Sequence, residues 1–337
     1  MIKELLAKLA EKKDLTYDEA RSAIDEIMSG EVHPEMTSAF LTALAMKGET
    51  EEEIAGAAEG MRSKALAFDI GGHALDIVGT GGDRSNSFNI STVSALVAAT
   101  AGVTVAKHGN RAASSKSGTA DCLEALGVRI DCEPEVMKKS LKENNIVFFF
   151  AQKYHSAMKY VGPVRKEIGI RTVFNILGPL TNPGKADRML LGVFSEEYVE
   201  KIAKALVKLN ITDAMVVYGT DGLDEISACG ETKVAEIRGT EIKYYTICPE
   251  DFGFTRCSKE DLLGGTPQEN AEIAKEILAG GGTEAQKTAV ALNAGACIYV
   301  AKLGISLAEG IEEAKKIMAS GKAIETLNGF IRTTNGG

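Results

Sequence analysis

Five short stretches carry residue types that could do chemistry. The stretch DIVGTGGD, residues 76–83, runs from an apolar segment into a glycine-rich turn. Glycines there let the backbone approach a ligand closely and present N–H groups to an anion, though a plain tight turn has the same composition. It is not the dinucleotide fingerprint, because Arg84 stands where the third glycine would fall. FNIST, residues 88–92, follows at once and leads into an apolar helix pattern from Val93. Ser91 or Thr92 would sit near that helix N-terminus, either as a simple cap or beside an anion drawn by free N–H groups and the dipole. A hydroxyl there also suits magnesium.

KHGNRAASSKSG, residues 107–118, gathers three cations, three serines and an Asn in a chain with 47 acidic and 38 basic residues. No Asp or Glu occurs from Arg84 through Ala120, whereas a solvated face mixes signs; the window predicts anion binding. DGLDEIS, residues 221–227, sets Asp224 beside Glu225. In a strand they would point to opposite faces, but in a loop both can turn toward one cation. Magnesium takes one or two carboxylates and completes its shell with phosphates and water, although adjacent acids are also common on plain surfaces. Finally, the polar segment 154–184 holds His155, which reads as a hydrogen-bonded structural residue or a neighbour of the site. It also holds Arg165, whose fork suits a carboxylate or a structural ion pair.

Regular elements must hold these stretches in place. Residues 1–65 read as helical: Ile2, Leu5, Leu6 and Leu9 share one face, and Met36, Phe40, Leu41 and Leu44 another. Thr16 with Glu19 and Thr50 with Glu53 form capping boxes. From residue 74 the period changes. Strands are predicted at 75–78, 103–106, 146–150, 189–194, 214–218 and 233–237. Helices are predicted near 92–101, 118–126, 135–144, 196–209, 268–279, 284–303 and 306–319. Strands alternating with helices imply an α/β fold with a mainly parallel sheet covered on both faces. All three loops at 79–91, 107–118 and 219–227 then lie at the carboxyl edge of that sheet, where such sheets bind ligands. The expected domains are a small helical one at 1–66, joined by part of 157–182, and a larger α/β one at 72–335.

The net charge of −9 argues against nucleic-acid and acidic-membrane partners. No apolar run is long enough for a membrane span, and MIKELLAKLAEKK lacks the apolar core of a signal peptide, so a cytoplasmic location is expected. The six cysteines, at 122, 132, 229, 248, 257 and 297, show neither CxxC nor metal-ligand spacing and are expected as free thiols of a reducing compartment.

In this order, the motifs resemble the anthranilate phosphoribosyltransferase family of tryptophan biosynthesis. The resemblance is carried by Gly79-Thr80-Gly81-Gly82-Asp83, Asn89-Ile90-Ser91-Thr92, Lys107 to Arg111 with Ser114 to Gly118, Arg165 in VGPVRKE, FNILGPLTNP and Asp224-Glu225. It implies a nucleoside phosphorylase/phosphoribosyltransferase-like fold, a homodimer formed through the helical parts, and a ligand cleft between the domains. The implied substrates are phosphoribosyl pyrophosphate (PRPP) and anthranilate, with Mg²⁺. Carried over residue by residue, Gly79, Gly82, Asp83, Ser87, Asn89, Ile90, Ser91, Thr92, Lys107, His108, Gly109, Asn110, Arg111, Ala112, Ala113, Ser114, Ser115 and Thr119 would hold PRPP. Ser91, Asp224 and Glu225 would bind the metal; Gly79, Asn110, His155 and Arg165 would meet anthranilate. Arg84, Ser87, Thr119 and Ser156 depart from the family pattern. Pyrimidine nucleoside phosphorylases have a similar fold and a related loop, but use inorganic phosphate and would not need the Asp224-Glu225 pair. A non-catalytic, nucleic-acid-binding relative would need a basic cleft, which the net charge disfavours.

Overall fold

The computed structural model describes every residue except Arg84, Ala113 and Ser114. The chain opens with four helices: α1 (Ile2–Ala10), α2 (Tyr17–Met28), α3 (Pro34–Lys47) and α4 (Glu51–Arg62). Both expected capping boxes form, at Thr16 and Thr50. Glu53 can be fully buried because Leu15 N, Thr50 N and Lys47 Nζ each donate to its carboxylate at 2.8 Å. Helices α2 and α4 lie close enough that a Cβ on Gly56 would collide with the Tyr17 carbonyl.

Strands β1 (Leu75–Gly79), β2 (Val105–Gly109), β3 (Ile146–Phe150), β4 (Arg188–Gly192), β5 (Asp213–Gly219), β6 (Thr232–Arg238) and β7 (Glu241–Ile247) form one seven-stranded sheet in the order β3-β2-β1-β4-β5-β6-β7. The pairs from β3 to β5 are parallel; β6 and β7 add an antiparallel hairpin at one edge. Side chains alternate between two cores. Ile77, Leu190, Met215 and Val217 face α5 (Ile90–Thr100) on one side, with Met189, Leu191, Ala214 and Val216 on the other. The second core is shared with α2, α3 and α4, so the helical block packs directly on the sheet.

Helices α6 (Thr119–Ala125), α7 (Pro134–Asn144) and α8 (Ala151–Tyr154) precede the polar segment, which breaks into α9 (Gly162–Ile168) and α10 (Phe174–Leu177). That segment packs onto the helical block: Val161, Val173, Phe174 and Leu177 join its core, and Arg62 Nε donates to Leu180 O at 2.7 Å. Helices α11 (Glu197–Lys208), α12 (Pro267–Leu278), α13 (Glu284–Ala301), α14 (Leu307–Ser320) and α15 (Ala323–Thr334) complete the chain.

Three expectations need correction. The strand expected at 103–106 lies at Val105–Gly109, so Lys107, His108 and Gly109 belong to β2 and not to the loop after it. Strand β7 and helix α15 were not anticipated: β7 reads EIKYYTI and leaves most side chains exposed at the sheet edge, and α15 is punctuated by Asn and Gly. No helix among the described residues is long and apolar enough to cross a membrane.

Candidate active site

The chain runs from β1 outward through β2 to β3, then β4 returns on the other side of β1. That reversal opens a crevice at the carboxyl ends of β1 and β4, the usual ligand position in such sheets. Gly79 and Gly192 are register partners there. The loop after β5 crosses above them: a Cβ on Gly192 would strike the Asp224 carbonyl, and one on Gly79 would strike the Asp224 carboxylate. These glycines therefore make room for an acid. Gly81 and Gly82 adopt φ +70 and +76, open to few other residues, and Gly81 N donates to Asp224 Oδ2 at 2.6 Å.

Glu225 is oriented by Ser91 N at the start of α5, which donates to Oε1 at 3.1 Å; its Oε2 is buried and has no hydrogen-bond partner. Burial, and then the Asp83 carboxylate, push Asp224 up to about 7. Burial, then Asp224 and Asp83, hold Glu225 well above the usual carboxylate range. Two desolvated carboxylates with an unpartnered oxygen fit a divalent cation. Among the described residues no three His, Cys, Asp or Glu side chains could enclose one by themselves. The donor set of two carboxylates and the Ser91 hydroxyl therefore suits magnesium completed by a substrate's phosphates.

Lys107, only 2% exposed, reaches from β2 toward the same point. Its Nζ donates to Ile77 O at 2.7 Å and to Ser91 Oγ at 3.3 Å. Beneath it lies Asp76, fully buried, which accepts from His108 N (3.1 Å) and Asn182 Nδ2 (2.7 Å). Burial raises Asp76 to about 6 despite the nearby Lys107 ammonium.

Asn89 ties the FNIST turn to the next loop, since its Nδ2 donates to Ser117 O (3.2 Å) and its Oδ1 accepts from Ser117 Oγ (3.1 Å) and Asn270 Nδ2 (2.8 Å). Ser87 forms an isolated bridge with Leu263, Ile90 is buried, and the buried Thr92 Oγ1 has no partner. Asp121 organises the loop after β2: Ala112 N and Gly118 N donate to its Oδ2 at 2.8 and 3.0 Å. A Cβ on Gly109 would press on Thr119 at 3.0 Å, and Ser115 Oγ points to Ser117 O at 3.5 Å.

Arg111 departs from the picture of cations waiting for an anion. Its exposed guanidinium is engaged by Asp121 and Glu124 and lies over the Phe150 ring. The acid-free window ends at Ala120, and the fold brings the next acids back across it. Ala113 and Ser114, expected at the same loop, and Arg84 lie outside the described residues.

His108 and His155, from β2 and the end of α8, bring their rings to 5.1 Å. Both are buried; His108 Nε2 and both His155 ring nitrogens lack hydrogen-bond partners. Burial depresses His108 to about 3, helped by His155, and His155 to about 4. Both imidazoles are neutral at pH 7. A histidine depressed in the fold contributes stability that is fully present above its unfolded value of about 6.5 and lost as pH falls toward the folded value. Each should cost up to about 1.4 kcal/mol per pH unit below 6.5. Urea denaturation from pH 7 to 5 is expected to show this decline, with a shallower slope for His155→Phe; identical slopes would remove His155 as a contributor.

Asn110 Oδ1 accepts from Arg111 N (2.8 Å) and Gln152 Nε2 (3.3 Å). Arg165, on α9, is half-buried over the Phe174 ring at 5.8 Å and has no ion pair among the described residues. That leaves its fork open for a carboxylate. Sequence reasoning missed Arg171, whose Nη2 donates to Gly82 O at 2.5 Å while its guanidinium stacks 3.9 Å over Phe194. It missed Asp76, Asn182 and Asn270 too; only the proximity of Asp76 to the glycine turn could have marked it.

Residues 3–65 match the model of the glycosyl transferase family's helical bundle domain, and residues 71–324 that of its a/b domain. An anthranilate phosphoribosyltransferase of Lacticaseibacillus casei is 52% identical over 97% of this chain and 96% of its own. The crystal structure of the enzyme of that name from Thermus thermophilus superposes with a TM-score of 0.93 at 43% identity, covering 98% of this chain and 99% of the other. The Saccharomyces cerevisiae enzyme, solved in complex with PRPP and Mg, superposes with a TM-score of 0.90 at 30% identity over 99% and 98% of the two chains. Its helical block, its reversed parallel sheet and these likenesses along the whole chain place the protein in the anthranilate phosphoribosyltransferase family.

Proposed function

We infer that the protein transfers the 5-phosphoribosyl group of PRPP to the amine of anthranilate, giving N-(5-phosphoribosyl)anthranilate and pyrophosphate. The observation that carries this reading is the meeting of the glycine turn, the α5 N-terminus and two buried carboxylates at one sheet crevice. PRPP is strongly anionic and lies against Gly79, Gly82, Asp83, Ser87, Asn89, Ser91, Thr92, Lys107 and the loop through Thr119. Ser91, Asp224 and Glu225 would hold Mg²⁺, which when bound supplies the charge that offsets the departing pyrophosphate.

The remaining work falls to the chain. Backbone N–H groups of the 79–82 turn and the Lys107 ammonium stabilise negative charge growing on the leaving group. Arg165 takes the anthranilate carboxylate, and Asn110 lies beside the amine, so the nucleophile is aligned with C1. An aromatic amine is neutral at pH 7 and needs no base before it attacks. The neutral imidazoles of His108 and His155 border this pocket without adding charge.

The acids also favour this reading over a phosphorolytic one, because inorganic phosphate would leave them without a partner. Incubation with PRPP, anthranilate and Mg²⁺ should deplete anthranilate fluorescence; no turnover by folded protein overturns the assignment. Arg165→Ala is expected to raise the Michaelis constant for anthranilate about 10- to 100-fold, reflecting a charge-assisted hydrogen bond worth about 1.5–3 kcal/mol, with little change for PRPP. An unchanged anthranilate constant takes Arg165 out of the site. The reading extends to a cytoplasmic homodimer formed through the helical parts, with domains at 1–66 (plus part of 157–182) and 72–335.

A further inference from the structure

Residues 257–265 form a strap between β7 and α12 that touches two walls of the site. On one side Cys257 N donates to Ala228 O at 3.1 Å, and Lys259 Nζ bonds Asp221 O, so the strap is tied to the loop carrying Asp224 and Glu225. On the other, Phe88 N donates to Leu262 O at 2.9 Å, Ser87 bridges Leu263, and Gly264 N donates to Asn86 O at 2.8 Å. Where strap and acid loop meet, Cys229 Sγ and Cys257 Sγ lie 3.4 Å apart. Both cysteines are free and half-buried, and among the described residues no other thiols make such a contact. Cys229 is fixed by its N–H to Ser227 Oγ (2.9 Å), and Cys257 Sγ lies 3.5 Å from Ala228 O.

We propose that Cys229 and Cys257 are a dithiol modification site that takes a small-molecule disulfide as oxidant and closes into a cross-link between the strap and the acid loop. One protein thiolate attacks the small disulfide, breaking its S–S bond, forming a mixed disulfide and releasing one small thiol. The second protein thiolate attacks the protein sulfur of that mixed disulfide, forming the Cys229–Cys257 bond and releasing the second small thiol. The two protein thiol protons end on the two released thiols, and the small disulfide is reduced by the two electrons the protein loses. Cys257 is the better first attacker: burial raises both thiols, but the Cys229 thiol beside it opposes the rise at Cys257, whereas Cys229 is pushed up to about 12. Reaction is accordingly slow at neutral pH and faster in alkali.

Because the sulfurs already touch, the cross-link fixes the arrangement present in the reduced protein and constrains chiefly the unfolded chain. The test is to incubate the full-length protein with oxidised glutathione at pH 8.5, then read intact mass, a peptide map, Tm and PRPP kinetics. The expected result is a loss of two hydrogens located to Cys229–Cys257, a Tm raised by several degrees and restored by dithiothreitol, and an unchanged Michaelis constant for PRPP. Cys229→Ser and Cys257→Ser should each abolish the mass change while remaining folded and active. Glutathione adducts without the cross-link, a link between other cysteines, a lowered Tm or a marked loss of PRPP saturation would each overturn the proposal.

Discussion

Glu225→Gln is expected to lower kcat/KM for PRPP by about 10²–10³-fold, the loss typical of a group that stabilises developing charge, while making the ligand-free protein more stable. The two effects share one cause. In the ligand-free fold Glu225 Oε2 is buried without a partner, close to Asp224 and Asp83, and burial with those like charges drives its carboxyl toward the protonated form. An amide of the same shape keeps an oxygen for Ser91 N, which now donates at 3.1 Å, and removes a buried acid that Lys107 offsets only in part. The gain should be about 1 kcal/mol, or about 2 °C in Tm for a chain of this size.

The sign reverses when ligands are added. Mg²⁺ with PRPP should raise the Tm of the parent protein, because a ligand that binds only the folded state stabilises it by mass action. The variant should respond far less. Melting curves with and without these ligands, set beside steady-state rates, check both halves. A variant as active as the parent, or one less stable without ligand, contradicts the role given to the acid pair.

Hydrophobic period made the parallel sheet legible in advance: short apolar runs separated by helical patterns allow few other folds. The same logic failed for β7, which exposes most of its side chains at a sheet edge, so neither alternation nor an apolar run marks it. At the site, residue types were legible and pairings were not. Gly79 could be read as a turn glycine, yet its space is taken by Asp224, which lies 145 residues on and reaches it only through the sheet order. Arg111 read as an anion ligand because acids are absent up to Ala120, but Asp121, the very next residue, and Glu124, one helical turn after it, claim it. Lys107 was read as part of the loop and lies instead in β2. Placed in a loop it would be a mobile cation; within β2 it is a buried one, with energetic consequences for the fold.

Those consequences make Lys107→Met the second large prediction: about 3 kcal/mol of stability lost, at the low end for breaking a buried pair, together with nearly all PRPP turnover. The ammonium is almost wholly buried and donates to Ile77 O and Ser91 Oγ. It also faces Asp76 and Glu225, both raised by burial and both partly relieved by its charge. Without it the two carboxyls move further above their unfolded values. Groups raised in the fold contribute stability that is present below the unfolded value and lost as pH rises through the folded one. The deficit of the variant against the parent should therefore be small at pH 5 and large at pH 8, measured by urea denaturation of both proteins. A deficit equal at both pH values would mean that lost packing, and not charge, explains it. Lys107→Arg should fail to restore turnover, because a planar guanidinium cannot occupy a slot shaped for a slender ammonium between Ile77 O and Ser91 Oγ. Full activity in that variant would show that any cation near the α5 N-terminus suffices, and that the depth of Lys107 serves the fold alone.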